Sequence, residues 1–340
     1  MKNVLTAFTV CFALSASANS FADSAKFYYA KGIEEKNAKR YQIATTNFDK
    51  AIKFNAKYAE AFLENAIVNL EMRRTDIAKA HFAKVHELQP SNTLAIKELA
   101  TLFYSYRQWD KAIEFVNKCG NCENKDRIIG LCNYEKENYL EAEKYLLKAL
   151  TIEPNDGMLN YKIAQNYIQM EAVKKAIPFF EKAVTLEPTK INWMYELGIL
   201  YYDNRNYRSA ATAFESAEKK GYTVNNDFIE NYGYALMYGG RFEAGELKLM
   251  EIYKKKGNKE LLRNIAQTLY SFQQYDRCLN YCQKLLEIDP KDGKALYQAG
   301  LTFIKMGKKD KGQGMCDKAI ELDPTLAGKK SSVGGMGGGL

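Results

Sequence analysis

A repeat of about 34 residues runs through most of this 340-residue sequence and constrains its fold more than any other feature. Each copy holds two amphipathic segments of about a dozen residues, whose apolar residues recur at the three- and four-residue spacing of an α-helix. A short polar break separates the two segments. The pattern therefore predicts nine helical hairpins, which lie near residues 25–58, 59–92, 93–122, 123–156, 157–190, 191–225, 226–258, 259–292 and 293–326.

Two positions of the repeat hold only small residues in all nine copies. Two helices of a hairpin approach closely only where neither carries a large side chain at the crossing, so these positions mark the predicted contact. The eighth position holds Gly32, Ala66, Ala100, Gly130, Ala164, Gly198, Gly233, Ala266 and Gly300, and the twentieth holds Ala44, Ala78, Ala112, Ala142, Ala176, Ala210, Gly245, Cys278 and Gly312.

Proline and aromatic residues complete the pattern. Phe48, Phe82, Phe180 and Phe214 occur late in second segments, and Pro90, Pro154, Pro188, Pro290 and Pro324 follow them. This signature resembles the tetratricopeptide repeat family, whose unit is a 34-residue helix–turn–helix. The resemblance covers about residues 25–326. It implies an all-α, right-handed superhelical solenoid of about nine repeats over residues 23–326, because one hairpin cannot bury its apolar stripe alone. We expect a single array without an internal linker, although the third unit is short and Pro178 lies inside a second segment.

The first 22 residues predict a signal peptide. Lys2 precedes an apolar run from Val4 to Leu14, and small residues stand before Asp23. A membrane anchor is the alternative, but a bilayer span takes about 20 apolar residues. We therefore expect an exported protein, periplasmic in a Gram-negative bacterium or secreted, with no transmembrane segment in the mature chain.

The far end and the charge balance carry weaker signals. Residues 327–340 contain six glycines and show no periodicity. They predict a flexible tail, with a docking tag as the alternative. The net charge of +8 is modest and mixed in sign along the chain. We therefore expect no nucleic-acid partner.

Cys119 and Cys122 form the sharpest local motif, with Cys132 nearby. A structural disulfide (Cys119 with Cys122, or one of them with Cys132), inert thiols, and a redox or metal function all stay open. A redox Cys-x-x-Cys opens a helix, whereas this one closes a second helix, where the dipole disfavours a thiolate. The motif falls where the third unit is truncated, so a structural staple is the favoured interpretation. Only two histidines, His81 and His86, are present. We expect no metal, cofactor or enzyme activity.

The resemblance to the family implies a concave groove, formed by the first helices, that holds peptides or partner helices. Tyrosine suits such a surface because it offers a large contact area and a polar tip. The predicted groove residues are Tyr161, Tyr195, Tyr202, Glu230, Tyr234, Tyr238, Arg263, Gln267, Tyr270 and Tyr297, with Asn264 among them. Neither Tyr195 nor Arg263 is expected to lie in a hairpin core.

These features together predict an exported, non-enzymatic scaffold for a peptide or protein partner, with a place in an envelope assembly as a further expectation. Two alternatives remain: a thiol–disulfide oxidoreductase that uses Cys119 and Cys122, and a module that binds cell-wall glycan through its aromatic groove.

Overall fold

The computed structural model describes residues 21–120, 122 and 124–329. Within this part of the chain the backbone forms eighteen α-helices and one 3-10 helix, and no strand. The prediction of an all-α repeat fold is confirmed. None of the described helices is both long enough and apolar enough to cross a membrane. Residues 1–20 of the predicted signal peptide and residues 330–340 of the predicted tail lie outside the described residues.

Two compact units divide the chain between Phe179 and Phe180. The division falls inside a helix, one residue after Pro178, and not at a linker. The repeat pattern predicted one array and did not predict this boundary. Proline has no backbone N–H to donate, so the helix lacks one of its hydrogen bonds next to the division.

The amino-terminal unit is built from consecutive helix pairs. Its helices are α1 (21–37), α2 (Tyr41–Phe54), α3 (Ala59–Glu71), α4 (Thr75–Leu88), α5 (Thr93–Ser105), α6 (Trp109–Lys118), α7 (Lys125–Glu135), α8 (Tyr139–Ile152), α9 (Gly157–Gln169) and the start of α10 (Val173–Leu186). Within it α3 packs on α4, α5 on α6, and α7 on α8.

The carboxy-terminal unit repeats this arrangement. After the end of α10 it contains α11 (Ile191–Asp203), α12 (Tyr207–Lys219), α13 (Asn226–Tyr238), α14 (Phe242–Lys256), α15 (Lys259–Ser271), α16 (Tyr275–Ile288), α17 (Gly293–Lys305), α18 (Lys309–Leu322) and a 3-10 helix (Pro324–Lys329). The pairs are α11 with α12, α13 with α14, α15 with α16, and α17 with α18. Leu326 of the 3-10 helix is buried against Tyr297, Cys316 and Ala319, which closes the last pair.

The small residue at the eighth position makes room for a buried side chain of the second helix. A Cβ atom added to Gly198 would lie 2.6 Å from the Phe214 ring, and Phe214 is fully buried. In the amino-terminal unit, Gly32 faces the buried ring of Phe48 in the same way. Both units therefore close their hairpins with one mechanism.

The turn inside each hairpin uses one residue in the left-handed backbone region. Nine such residues occur at the fifteenth position of the repeat, with φ between 57° and 87°. Only two of them are glycines, Gly240 and Gly307; the other seven are Lys39, Arg73, Arg107, Glu137, Glu171, Arg205 and Gln273. The amide after the turn residue bonds back to the first helix, as the Asn206 N–H does to the Tyr201 carbonyl at 2.8 Å. Such bonds satisfy carbonyls that a helix end leaves open.

Candidate functional site

The carboxy-terminal unit carries two adjoining clefts on the side formed by α11, α13, α15 and α17, here called the first-helix face. The first, the tyrosine cleft, has a volume of about 490 Å³. Six predicted groove residues line it, together with three residues that the sequence did not indicate. The predicted ones are Tyr202, Glu230, Tyr234, Tyr238, Asn264 and Gln267, and the others are Asn231, Thr268 and Ser271.

Three tyrosines form one side of the tyrosine cleft. The Tyr234 and Tyr238 rings are stacked with centroids 6.0 Å apart, and the Tyr202 ring lies 6.1 Å from Tyr238. Burial raises the pKa of Tyr202, and the nearby Tyr238 hydroxyl raises it further. Burial also raises the pKa of Tyr234, with a contribution from Glu230. The Tyr202 and Tyr234 hydroxyls therefore keep their protons at neutral pH and can donate hydrogen bonds.

The second cleft, the arginine cleft, has a volume of about 580 Å³ and lies between α15, α16 and α17. Of the predicted groove residues, Arg263, Gln267, Tyr270 and Tyr297 line it. Lys294 and Gln298 of α17 line it as well, and the buried Leu326 belongs to its wall. The cleft therefore combines cationic and amide side chains with an apolar wall.

Arg263 lines the arginine cleft and is also paired with two acidic residues. Its guanidinium lies 2.8 Å from Glu260 and 2.7 Å from Asp292. The Asp292 side chain is only 4% exposed, and it also accepts the Ala295 N–H at the start of α17. Arg263 thus fixes one repeat to the helix start of the next, and it offers the cleft only part of its surface.

Gln267 and Ser271 line both clefts and make them one strip. Gln267 is exposed, and Ser271 donates to its carbonyl at 3.0 Å. The exposed Glu230 belongs to the tyrosine cleft, whereas the exposed Lys294 belongs to the arginine cleft. A chain lying along the strip would therefore meet an acidic and a basic end.

Three predicted groove tyrosines do not serve as expected. Tyr195 lines neither cleft: its ring packs 4.7 Å from Tyr222 and 5.6 Å from Phe228, and Asn231 donates to its hydroxyl at 3.2 Å. The prediction that Tyr195 lies outside the core is wrong, because the half-buried ring packs against the core between Tyr222 of its own repeat and Phe228 of the next. Tyr297 lines the arginine cleft but is only 6% exposed.

Tyr161 belongs to the amino-terminal unit, on α9. Gln165, one turn further along the same helix, donates to its hydroxyl at 2.6 Å. Tyr161 is not among the residues that line the two clefts.

Amide side chains at one position of the repeat were the signal that sequence reasoning missed. Asn231, Asn264 and Gln298 occupy the sixth position in three consecutive repeats, and all three line a cleft. Amides both donate and accept, so such a row suits the alternating N–H and C=O groups of a peptide backbone.

The cysteine motif lies in the amino-terminal unit, where α6 ends early. The sulfur atoms of Cys119 and Cys122 lie at bonding distance, and their Cα atoms are 5.8 Å apart. Cys132 takes no part and remains a free thiol, contrary to the alternative that included it. Burial raises its pKa to about 12, so it stays protonated. Among the described residues, no cluster of His, Cys, Asp and Glu could hold a metal ion.

Family models match more than half of the chain. A model described as tetratricopeptide repeat matches residues 195–260, and a second with the same description matches residues 128–156, 159–190, 260–292 and 293–326. These matches include every residue that lines the tyrosine cleft and the arginine cleft.

Individual relatives share only part of their length with this chain. Anaphase-promoting complex subunit 3 of Schizosaccharomyces pombe is 24% identical over 168 residues, which are 47% of this chain and 25% of that protein. Type IV pilus assembly protein PilF of Pseudomonas aeruginosa is 25% identical over 162 residues, or 46% and 64% of the two chains. The chain thus spans less than two thirds of either relative.

One solved structure with a similar fold is the C-terminal part of a repeat protein of the same description from Cytophaga hutchinsonii. It is 15% identical, has a TM-score of 0.50, and covers 64% of this chain and 93% of that one. At this identity the likeness concerns the fold alone.

Proposed function

The chain belongs to the tetratricopeptide repeat family, and on that premise we propose that it is an exported, non-enzymatic scaffold that binds a peptide or protein partner along the first-helix face of its carboxy-terminal unit. The continuous strip of tyrosines and amides through Gln267 is the observation that carries this proposal. Half-buried tyrosine rings give contact area at little cost in rotamer entropy, and the amides can pair with a peptide backbone.

The proposal favours binding over catalysis because of what lines the strip. Its polar groups are tyrosines, amides and hydroxyls, an arginine already paired to Asp292, and the exposed Glu230, Glu260 and Lys294. The alternative of a thiol–disulfide oxidoreductase has less support. Cys119 is buried at the carboxyl end of α6, where the helix dipole opposes the thiolate that such an enzyme needs.

Export and a place in an envelope assembly belong to the same proposal. The signal-peptide pattern of the first 22 residues supports export. One relative is named as a pilus assembly protein, which agrees with an envelope role. Mass spectrometry of the protein from fractionated cells should place the mature N-terminus at or near Asp23. An intact Met1 would overturn export while leaving the scaffold function open.

A photo-crosslinking pair tests the binding face. A benzophenone amino acid at Gln267, which lines both clefts, should capture a defined partner from the envelope fraction. The same group at Leu247, on α14 and 66% exposed, serves as the matched control and should capture no such partner. Capture from Leu247 but not from Gln267 would contradict the proposed face.

The binding energy should concentrate on the aromatic residues of the strip. Once the partner is in hand, Tyr238→Ala should weaken binding by about 2 kcal/mol, or roughly thirtyfold. The accompanying loss of stability can be measured separately by thermal unfolding. Binding of unchanged affinity by folded Tyr238→Ala protein would remove the tyrosine cleft from the proposal.

A further inference from the structure

The carboxy-terminal unit has a third cleft, on the side formed by its second helices. It has a volume of about 600 Å³ and lies between the end of α10, α11 and α12. We name it the Ala213 cleft, because Ala213 of α12 lies in its wall. Its volume is in the range of small-ligand and peptide side-chain pockets. It shares no lining residue with the two clefts of the first-helix face.

The Ala213 cleft exists because one repeat lacks a large side chain. Ala213 occupies the twenty-third position of the repeat and is the smallest residue found there. The nine residues at this position are Asn47, His81, Phe115, Tyr145, Phe179, Ala213, Lys248, Tyr281 and Met315.

The third repeat shows what normally fills this space. There the Phe115 ring lies 5.4 Å from the His86 ring and 5.0 Å from the Phe103 ring. The residues at the positions of His86 and Phe103 around the sixth repeat are Val184 and Tyr201, and both line the Ala213 cleft. The cleft therefore leaves open the space that an aromatic ring occupies in the third repeat.

The sixth repeat carries a cation at each end of the cleft. The fifth repeat has one at the first of these positions (Lys174) and the seventh has one at the second (Lys255), so only the sixth repeat has both. Arg208 lies in the first turn of α12, at a position that holds an acid in five other repeats: Asp76, Asp110, Glu243, Asp276 and Asp310. A helix start favours acids, so a cation there opposes the local electrostatics. Lys220, at the other end, takes a position that is Leu88, Leu186 and Leu322 elsewhere. Departures from local rules concentrate at functional sites.

Neither cation is neutralised by an acid of the described chain, although Lys220 donates to the Pro188 carbonyl of the cleft at 3.4 Å. Within the described part of the chain neither forms an ion pair, because Glu215 and Glu218 of α12 pair with other basic residues. The nearby Glu181 accepts the Tyr201 hydroxyl. Between the cations, the hydroxyls of Thr212 and Ser216 donate within their own helix, which leaves their oxygens able to accept from a peptide N–H.

We propose that the Ala213 cleft binds an extended acidic segment of a partner protein, with an aromatic side chain over Ala213 and an acid near each of Arg208 and Lys220. The length agrees with this occupant. Twelve residues of helix separate the two cations, or about 18 Å, which an extended chain of about five residues spans. The site is separate from the first-helix face, so it stands whether or not that face binds a partner.

Short peptides test the proposal directly. The capped peptide DAFAD should bind with a Kd on the order of millimolar, since a small ligand gains little per atom. Chemical-shift changes should map to α12 and the end of α10. The peptides DAAAD and KAFAK, which lack the ring or reverse the charge, should each bind about tenfold more weakly. Equal binding of all three would overturn the proposal.

Two variants locate the site. Ala213→Phe restores the ring of the third repeat, so it should keep or raise Tm and weaken DAFAD binding about tenfold. If that variant does not fold, the double variant Arg208→Glu/Lys220→Glu decides instead, because it should prefer KAFAK over DAFAD. Unchanged DAFAD affinity in a folded Ala213→Phe protein, or an unchanged charge preference in the double variant, would show that the peptide binds elsewhere.

Discussion

Phe115 fills the twenty-third position of the third repeat in the amino-terminal unit, whereas Ala213 leaves the same position open in the carboxy-terminal unit. At the fifth position, by contrast, the two units use the same residue type in the same way. Arg127 pairs with Glu153 and Asp156 in the first unit, and Arg263 pairs with Glu260 and Asp292 in the second. In both cases the second acid is the N-cap of the next first helix.

This comparison separates framework from function. Residues that hold one repeat to the next are used alike in both units, so the framework does not explain why the clefts described above lie in the second. The clefts lie where one repeat has a smaller side chain than the others, as at Ala213, or where tyrosines and amides recur on the first helices. Variants of framework positions should therefore affect stability in both units alike, whereas variants of cleft positions should affect binding.

The largest effect is expected at the eighth position. Gly198→Leu should destabilise the carboxy-terminal unit by about 3 kcal/mol, because its Cβ alone would lie 2.6 Å from the Phe214 ring. Gly32→Leu, against Phe48, should cost about as much in the amino-terminal unit. Denaturant unfolding measures both.

Gly314→Ala is the control for this pair, since a Cβ there meets nothing within 4 Å. It should raise stability by about 0.5–1 kcal/mol, as expected for Gly→Ala within a helix. A large loss for Gly198→Leu with none for Gly32→Leu would show that the two units do not close their hairpins alike.

Tyr195→Ala should have the next largest effect. Its ring contacts Tyr222, Phe214 and Phe228, so its removal should cost about 2–3 kcal/mol. Tyr195→Phe keeps the ring and loses only the hydrogen bond from Asn231, which should cost under about 1 kcal/mol. If Tyr195→Ala unfolds at the wild-type temperature, Tyr195 is a surface residue after all.

Reduction of Cys119 and Cys122 should cost about 2 kcal/mol, the low end for disulfides, because the closed loop is short. The loss should be confined to the amino-terminal unit and appear as faster hydrogen exchange in α6 and α7. The double variant Cys119→Ser/Cys122→Ser should match the reduced protein. Full thiol labelling of both cysteines in the unreduced native protein would rule the disulfide out.

The smallest effect is expected for Arg127→Ala, about 1 kcal/mol at pH 7. Burial would raise the pKa of Asp156, but hydrogen bonds from Arg127 and the Leu159 N–H, with the Arg127 charge, lower it overall. A lowered pKa gives stability that is present above the unfolded value of about 3.9 and is lost as the pH falls through the folded value.

The difference in the free energy of unfolding between Arg127→Ala and the wild type should therefore become smaller below about pH 4. Unfolding at pH 7 and pH 3 measures it. Arg263→Ala should cost a similar amount at pH 7, because the two arginines hold equivalent acids. If the two free energies of unfolding differ by the same amount down to pH 3, Arg127 does not lower the pKa of Asp156.

The fold was predictable because its determinants are local and repeated. The helical period and the small residues at positions such as Gly198 and Ala210 are visible in any single unit, and nine copies reinforce them. The boundary beside Pro178 was not predictable, because the repeat pattern continues through the helix that contains it.

The candidate site was only partly predictable. Tyr202, Tyr234 and Tyr238 line a cleft as their spacing indicated. The contacts of Tyr195 and Arg263 were not predicted, because they come from outside their own helices. Tyr222, which lies between α12 and α13, and Phe228 of α13 contact Tyr195, and Asp292, just before α17, pairs with Arg263. A helical period shows which side of its own helix a residue occupies, and it does not show what a neighbouring helix places there.

The left-handed turn residue has a consequence for how such a chain changes over evolution. Lys39, Glu137 and Gly307 all adopt one backbone conformation at the same point of the hairpin, so the packed helices and not the side chain dictate it. A non-glycine residue there costs about 1 kcal/mol or more, which the packing around it outweighs. The gene can therefore gain or lose whole copies of the repeat without a matching change in any turn codon. The number of repeats is free to drift, while the residues within each copy diverge toward new partners.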